Sequence, residues 1–291
     1  MLISETRKGD LAIFGEAIIW ALFPIITILS YANIAPIASL AWSSVFLVAF
    51  FSFIVAARGK IGEIFIPGVW KYIPLITIFI SILYYSLYYV GLKYTTAGDA
   101  SIIALMELFF SYLLFNVWKK ELLSARHTFG AMLMILGAVI ILYPKQGLVF
   151  HGGDFLVLLA TACAPIGNFY QQKLRKLVSS ETIVFLRSLG AIPVFFVLAA
   201  ILKVNAPLVA IQKSFWFLAL NGILILGVSK LLWMEGIHRI SVTKANALSS
   251  IAPLFTLIFA YFILHQAPTI WQLTAFIPLA GGLILLTDNK I

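Results

Sequence analysis

The chain has 291 residues, 62% of them hydrophobic and only 11% charged, with a mean hydropathy of +1.05 and a formal net charge of +9. Soluble domains average about 45–50% apolar and about 25% charged residues, so a water-soluble globule of this composition would lack the charge to cover its outside. A cytosolic enzyme, a nucleic-acid-binding domain and a disordered chain are excluded, and the chain is read as an all-α integral membrane protein.

A membrane helix needs about 20 mostly apolar residues. The first such run, 9–30, follows Arg7 and Lys8. It is too long for a signal-peptide core and has no clear small-x-small cleavage site, so it is expected to remain in the mature chain. Nine more follow at 35–57, 71–93, 96–118, 124–143, 154–172, 180–202, 214–237, 243–264 and 269–287. The connections are short and carry Gly, Pro or paired charges, as in Arg58-Gly59-Lys60, Lys119-Lys120-Glu121 and Pro144-Lys145-Gln146-Gly147. None could hold a soluble domain, so any chemistry must sit inside the helix bundle. Cys163 stands alone in an apolar stretch and reads as a small apolar side chain.

Placing the N-terminus in the cytoplasm puts Arg7, Lys8, Arg58, Lys60, Lys71, Lys119, Lys120, Arg126, Lys173, Arg175, Lys176, Arg239, Lys244 and Lys290 inside. Only Lys93, Lys145, Lys203 and Lys213 would lie outside. Basic residues concentrate on cytoplasmic loops, which selects an N-in, C-in topology.

The second half resembles the first when shifted back by about 145 residues, the kind of fixed-period self-similarity that marks an internal repeat. Gly9-Asp10-Leu11 matches Gly153-Asp154-Phe155, Gly91-Leu92-Lys93-Tyr94 matches Gly236-Ile237-His238-Arg239, and Gly137 matches Gly282. Residues 1–146 and 147–291 are therefore expected to form two five-helix repeats. With an odd number of spans in each, the second enters the membrane inverted. Inverted repeats recur in transporters, because exchanging the conformations of two related halves opens a site to one side and then the other.

The first half carries Thr96-Ala97-Gly98-Asp99-Ala100, Glu121, Gly130 and Gly137, and the second Thr243-Lys244-Ala245-Asn246-Ala247, Pro253-Leu254-Phe255 and Gly281-Gly282, with Arg187 early in its second span. In these features the chain resembles the drug/metabolite transporter superfamily, in particular its ten-helix EamA-type members, over essentially its whole length. It departs from that pattern at Trp42 (matching Arg187), Leu108 (matching Pro253) and Gln266 (matching Glu121). The resemblance implies secondary transport of a small metabolite and a place in a bacterial inner membrane. It does not carry a substrate.

Charged groups within hydrocarbon are costly and default candidates for function. Glu107 lies eleven residues into its span, about 16 Å at 1.5 Å per residue and close to the midplane. Burial favours the uncharged form of a carboxyl, so Glu107 could bind and release a proton or pair with a cationic substrate. The alternative is a structural bond between helices. Glu16, with Trp20 one turn later, could line the same cavity or simply gain from the helix dipole. Arg187 could neutralise either acid or a substrate carboxylate, or snorkel to the cytoplasm. Lys230 needs a partner, and its five-residue spacing from Glu235 points the two to different faces.

Tyr84, Tyr85, Tyr88 and Tyr89 form two i, i+4 pairs. They read either as an interfacial aromatic belt plus packing or as a substrate wall attractive to ammonium groups. Asp99 is explained by helix capping, and Lys244 is expected to contact lipid phosphate. Among the neutral polar residues (Asn168, Gln171, Asn221 and Ser249 included), Asn246 and Ser250, one turn apart beside Pro253, are singled out.

The sequence has no phosphate-binding Gly-x-x-x-x-Gly-Lys-Ser/Thr loop, and its histidines are not grouped as metal ligands. The expectation is therefore a non-enzymatic membrane transporter without cofactor or metal. It would move amino acids or amine-bearing metabolites outward, with protons as coupling ion, as a monomer or weak dimer that binds no nucleic acid. An importer or exchanger, or a non-transporting membrane partner or sensor, is the alternative.

Overall fold

The computed structural model describes residues 4–119, 125–142, 152–204, 206–240 and 242–287. The side chains of 115–119, 242–243, 246–247 and 287 are not included. The expected repeat junction at 146/147, Glu121 and His151 lie outside the described residues.

The described residues form ten helical segments, in the expected order. They are α1 (Glu5–Ser30), α2 (Pro36–Ala57), α3 (Pro67–Leu92), α4 (Ala97–Ile103 and Met106–Lys119), α5 (Ala125–Leu142), α6 (Gly152–Leu174), α7 (Ser180–Ile201), α8 (Leu208–Arg239), α9 (Val242–Ser249 and Ala252–Leu264) and α10 (Ile270–Thr287). Eight are long and apolar enough to cross a membrane, and Ala252–Leu264 and Ile270–Leu286 add two shorter apolar helices. α3 and α8 start earlier than expected, at Pro67 and just after Pro207. Hydropathy finds the apolar middle of a helix, whereas proline fixes where the backbone begins to turn, so the opening residues 67–70 of α3 and 208–213 of α8 are missed.

The helices pair in a way that repeats itself. α1 packs along α8 and α3 along α6, while α2 packs on α7 and α5 on α10. Under a shift of about 145 residues the first two pairs exchange, and each of the others maps onto itself. Within the α5–α10 pair the backbones touch, because a Cβ on Gly282 would lie 2.5 Å from the Gly130 carbonyl oxygen. Small residues permit such approach in a bilayer.

Two kinds of interruption also come in matched pairs. α3 widens to a π-helix over Thr77–Tyr84, and α8 over Leu220–Val228. α4 breaks at Ala104 and Leu105, α9 at Ser250 and Ile251. Pro253, second residue of the next half-helix, accounts for the break in α9. α4 breaks without a proline. π-segments and discontinuous helices free backbone groups where a membrane protein lines a cavity.

On the face that carries the N-terminus, charged side chains tie the repeats together. Glu181 pairs with Arg58 and with Lys60 at 3.5 Å, Arg239 reaches Glu5 at 3.2 Å, and Lys244 lies 2.6 Å from Asp10. The last contact corrects the expectation that Lys244 meets lipid phosphate, since a carboxylate of the opposite repeat is already within reach.

Glu63 adds a link through uncharged donors. Its Oε2 accepts from Ser179 N (2.9 Å), Ser179 Oγ (2.7 Å) and Thr182 Oγ1 (2.6 Å), capping α7 from another chain segment. Partial burial opposes its ionisation, but the hydroxyl and backbone donors and nearby Lys60 together hold the carboxyl below its ordinary range. A depressed carboxylate pKa contributes stability above the unfolded value, about 4.3, and loses it as pH falls through the folded value. Hydrogen exchange at the first turn of α7 is therefore expected to lose protection below about pH 4. In Glu63→Gln it should be weaker and flat with pH; an unchanged acid response in the variant would assign the effect elsewhere.

Candidate functional site

Glu16 sits three turns into α1 and is 2% exposed. Its Oε1 lies 3.3 Å from Lys230 Nζ on α8, and its Oε2 accepts from Ser249 Oγ on α9 at 3.0 Å. The Lys230 ammonium also rests on the indole face of Trp20, 3.2 Å from the ring centroid. Trp20 stacks on Phe23 at 4.5 Å, and Phe23 packs against Tyr85, Tyr88 and Tyr89 of α3. Glu16 and Trp20 thus share one corner, closed by a lysine from the second repeat.

Glu107 is the second residue of the outgoing half of α4. The break at Ala104 and Leu105 places a helix N-terminus, and its partial positive charge, beside the carboxylate. Asn168 Nδ2 on α6 donates to Glu107 Oε1 at 2.7 Å, and Gln171 Nε2 donates to Asn168 Oδ1 at 2.8 Å, turning the amide nitrogen toward the acid. Glu107, Trp20, Lys230 and Asn168 are all half-buried, whereas the flanking tyrosines are sealed. Electrostatic interactions connect Glu107 to Lys230, Glu16, Tyr84 and Tyr88, so both acids belong to one interior region.

The tyrosines are not an interfacial belt. Tyr84 is 5% and Tyr88 1% exposed, and Tyr88 donates to the Ala100 carbonyl at 3.1 Å. Tyr94, two residues beyond the end of α3, is exposed. The i, i+4 spacing puts the tyrosines on one face of α3, and that face meets Phe23 of α1 and not the membrane interface.

Arg187 does not snorkel. It is the largest fully buried side chain, with its guanidinium 5.8 Å from the Tyr85 ring centroid, and it pairs with neither Glu16 nor Glu107 among the described residues. Ser250 lies in the turn between the halves of α9, next to Ser249. The side chain of Asn246 is outside the described residues. Asp99 is not itself the cap of α4: Thr96 Oγ1 accepts from Asp99 N, and Asp99 Oδ1 accepts from Gln272 Nε2 at 3.0 Å. Glu235 binds Arg175 and Arg239 while Lys230 turns to Glu16, in line with their spacing.

Sequence reading did not select Asn168 or Ser249, which hold the two acids. A neutral amide on an apolar helix carries no signal of its own, and only the tertiary pairing of α6 with α4 gives Asn168 its role. Lys230 did carry one, as an intramembrane charge.

The structure is that of a polytopic membrane transporter with two inverted five-helix repeats and a polar interior between them. The sequence signature of the EamA-like transporter family matches residues 7–143 and again 151–288, so the chain belongs to that family. It is 29% identical over 220 residues to an "Uncharacterized transporter" of Methanothermobacter thermautotrophicus, a match covering 70% of this chain and 61% of that relative's length. A solved crystal structure superimposes with a TM-score of 0.72 at 16% identity, covering 98% of this chain and 99% of that one, and shows the shared fold.

Proposed function

We propose that this transporter is a proton-coupled exporter of amino acids or other small amine-bearing metabolites, working by alternating access in a bacterial inner membrane with both termini in the cytoplasm. The observation that carries the reading is the Glu107–Asn168 bond, in which a mid-membrane carboxyl of one repeat is held by a neutral amide of the other. Rocking one repeat against the other breaks that bond. A carboxyl that loses its donor in an apolar surrounding takes up a proton, and gives it back when the donor returns. Proton occupancy is thereby tied to which side is open.

Ammonium chemistry is supported by Lys230, whose own ammonium already sits between an aromatic face and a carboxylate at Trp20 and Glu16. A substrate amine would meet the same kind of partners at Glu107 and the tyrosine wall. The charged contacts on the N-terminal face support a conformation closed on that side.

The test is efflux of a panel of radiolabelled amino acids and amines from proteoliposomes under imposed pH gradients. Wild type is expected to respond to the gradient, and Glu107→Gln to transport at a rate independent of it, with the gradient-driven component reduced at least about tenfold, the scale of one lost charge-assisted bond. Undiminished pH dependence in Glu107→Gln would remove the carboxyl from the coupling mechanism.

A further inference from the structure

Arg187 is 1% exposed, yet its Nε and Nη1 have no hydrogen-bond partner among the described residues. A guanidinium buried without a counter-charge is costly, so it needs a reason to be there. Two more buried hydroxyls without partners among the described residues lie on the π-segment of α3, which packs on α7: Thr77 Oγ1 and Ser81 Oγ, 7% and 3% exposed. Their placement follows from the packing of α3 on α7. Thr77 meets Gly190, where a Cβ would lie 3.4 Å from the Thr77 methyl, and Tyr85 underlies the guanidinium. Ser81 is midway in sequence between Thr77 and Tyr85, and Arg187 is one turn from Gly190, so the spacing puts all three donors along the α3–α7 contact.

The fold itself does not require this cation. The pseudo-symmetric position is Trp42 on α2, which packs edge-on against Phe196 of α7 at 5.5 Å and joins the apolar cluster that α2 forms with Ala210, Ile211 and Leu218 of α8. An apolar ring there takes the place of the cation.

We propose that Arg187, with Ser81 and Thr77, forms the subsite for the carboxylate of a zwitterionic, amino-acid-like substrate whose ammonium group is taken on the Glu107 side of the tyrosine wall. The inference rests on the transport reading and narrows it from amines in general to amino acids. The charge balance at mid-depth supports it. Glu16 and Lys230 satisfy each other; Glu107 is held by a neutral amide, and Arg187 has no acidic partner among the described residues. A zwitterion supplies the opposite charge to both and brings no net charge into the bilayer, whereas a bare amine would leave the guanidinium uncompensated.

The experiment is thermal unfolding of the purified full-length protein in sodium acetate, a minimal carboxylate, against sodium gluconate of equal ionic strength, whose bulk keeps it out of a sealed site. Wild type is expected to gain about 2–4 °C saturably in acetate. Arg187→Met should fold, be at least as stable as wild type in gluconate, and gain less than about 1 °C in acetate. Arg187→Lys should keep the response with its midpoint shifted several-fold to higher acetate. An equal acetate response in wild type and Arg187→Met, no response in wild type, or strong destabilisation of Arg187→Met in gluconate would each overturn the subsite and make Arg187 a structural residue. If the acetate response is absent while gradient-driven amine efflux persists, the subsite fails and the exporter reading stands. If the response is present but no substrate moves, the exporter reading fails and the subsite stands.

Discussion

Replacing Lys230 with methionine is expected to destabilise the protein by about 3–5 kcal/mol, the range for breaking a buried ion pair from one side. Glu16 is 2% exposed, and the Lys230 side chain 19%. Without the ammonium, Ser249 is left as the close donor to an ionised group that water cannot reach. The indole face of Trp20 also loses its cation. Methionine keeps most of the lysine stem, so lost packing contributes little. The companion variant Glu16→Gln/Lys230→Met removes both charges and keeps a polar partner for Ser249. It is expected to recover most of the loss, because neutralising a buried pair as a unit is often tolerated. Thermal unfolding of the wild type, both single variants and the double variant in one detergent closes the cycle, with a coupling of about 2–3 kcal/mol expected for groups in direct contact. Additive effects, or a Lys230→Met protein within about 1 kcal/mol of wild type, would mean that the two side chains do not depend on each other.

The parts of this architecture that were legible in the sequence are those governed by apolar length and by residue identity. Ten apolar runs gave the number and order of helices, and the odd number per half gave the inversion. Intramembrane charge likewise singled out Glu16, Glu107, Arg187 and Lys230. What stayed hidden depends on partners. The tyrosines read as well for a belt with packing as for a substrate wall, because i, i+4 spacing shows that they share a face and not what that face meets. The break in α4 has no proline to mark it, although it sets a helix N-terminus beside Glu107. The fate of each charge was equally out of reach: Lys230 and Arg187 are both cations within spans, yet among the described residues Lys230 is paired with an acid and Arg187 is not. That difference arises from which helix faces which, and periodicity within a single helix does not contain it.

The same dependence on helix pairing makes Gly222 the position where the smallest change is expected to do the most damage. α8 crosses α2 so closely that a Cβ on Gly222 would stand 2.1 Å from the Ser43 carbonyl oxygen and 3.0 Å from the Leu47 nitrogen. Both obstacles are backbone atoms of a continuous helix, so no side-chain rotation can relieve the clash. The α2–α8 crossing must widen, and with it the π-segment that Gly222 belongs to. Overpacking a core costs about 1–3 kcal/mol and occasionally more; with backbone on both sides, Gly222→Ala is expected at or above the top of that range. The related interface between α3 and α7 supplies an internal control. There the glycine lies on the other helix, and a Cβ on Gly190 would meet the Thr77 side chain at 3.4 Å, an ordinary contact. Gly190→Ala should therefore stay within about 1 kcal/mol of wild type, in keeping with the small helix preference for alanine over glycine. Thermal melting of the two variants reads the difference directly. If both alanines are tolerated equally, the close crossing of α8 over α2 is wrong; if both unfold the protein, the two interfaces are more alike than their glycines indicate.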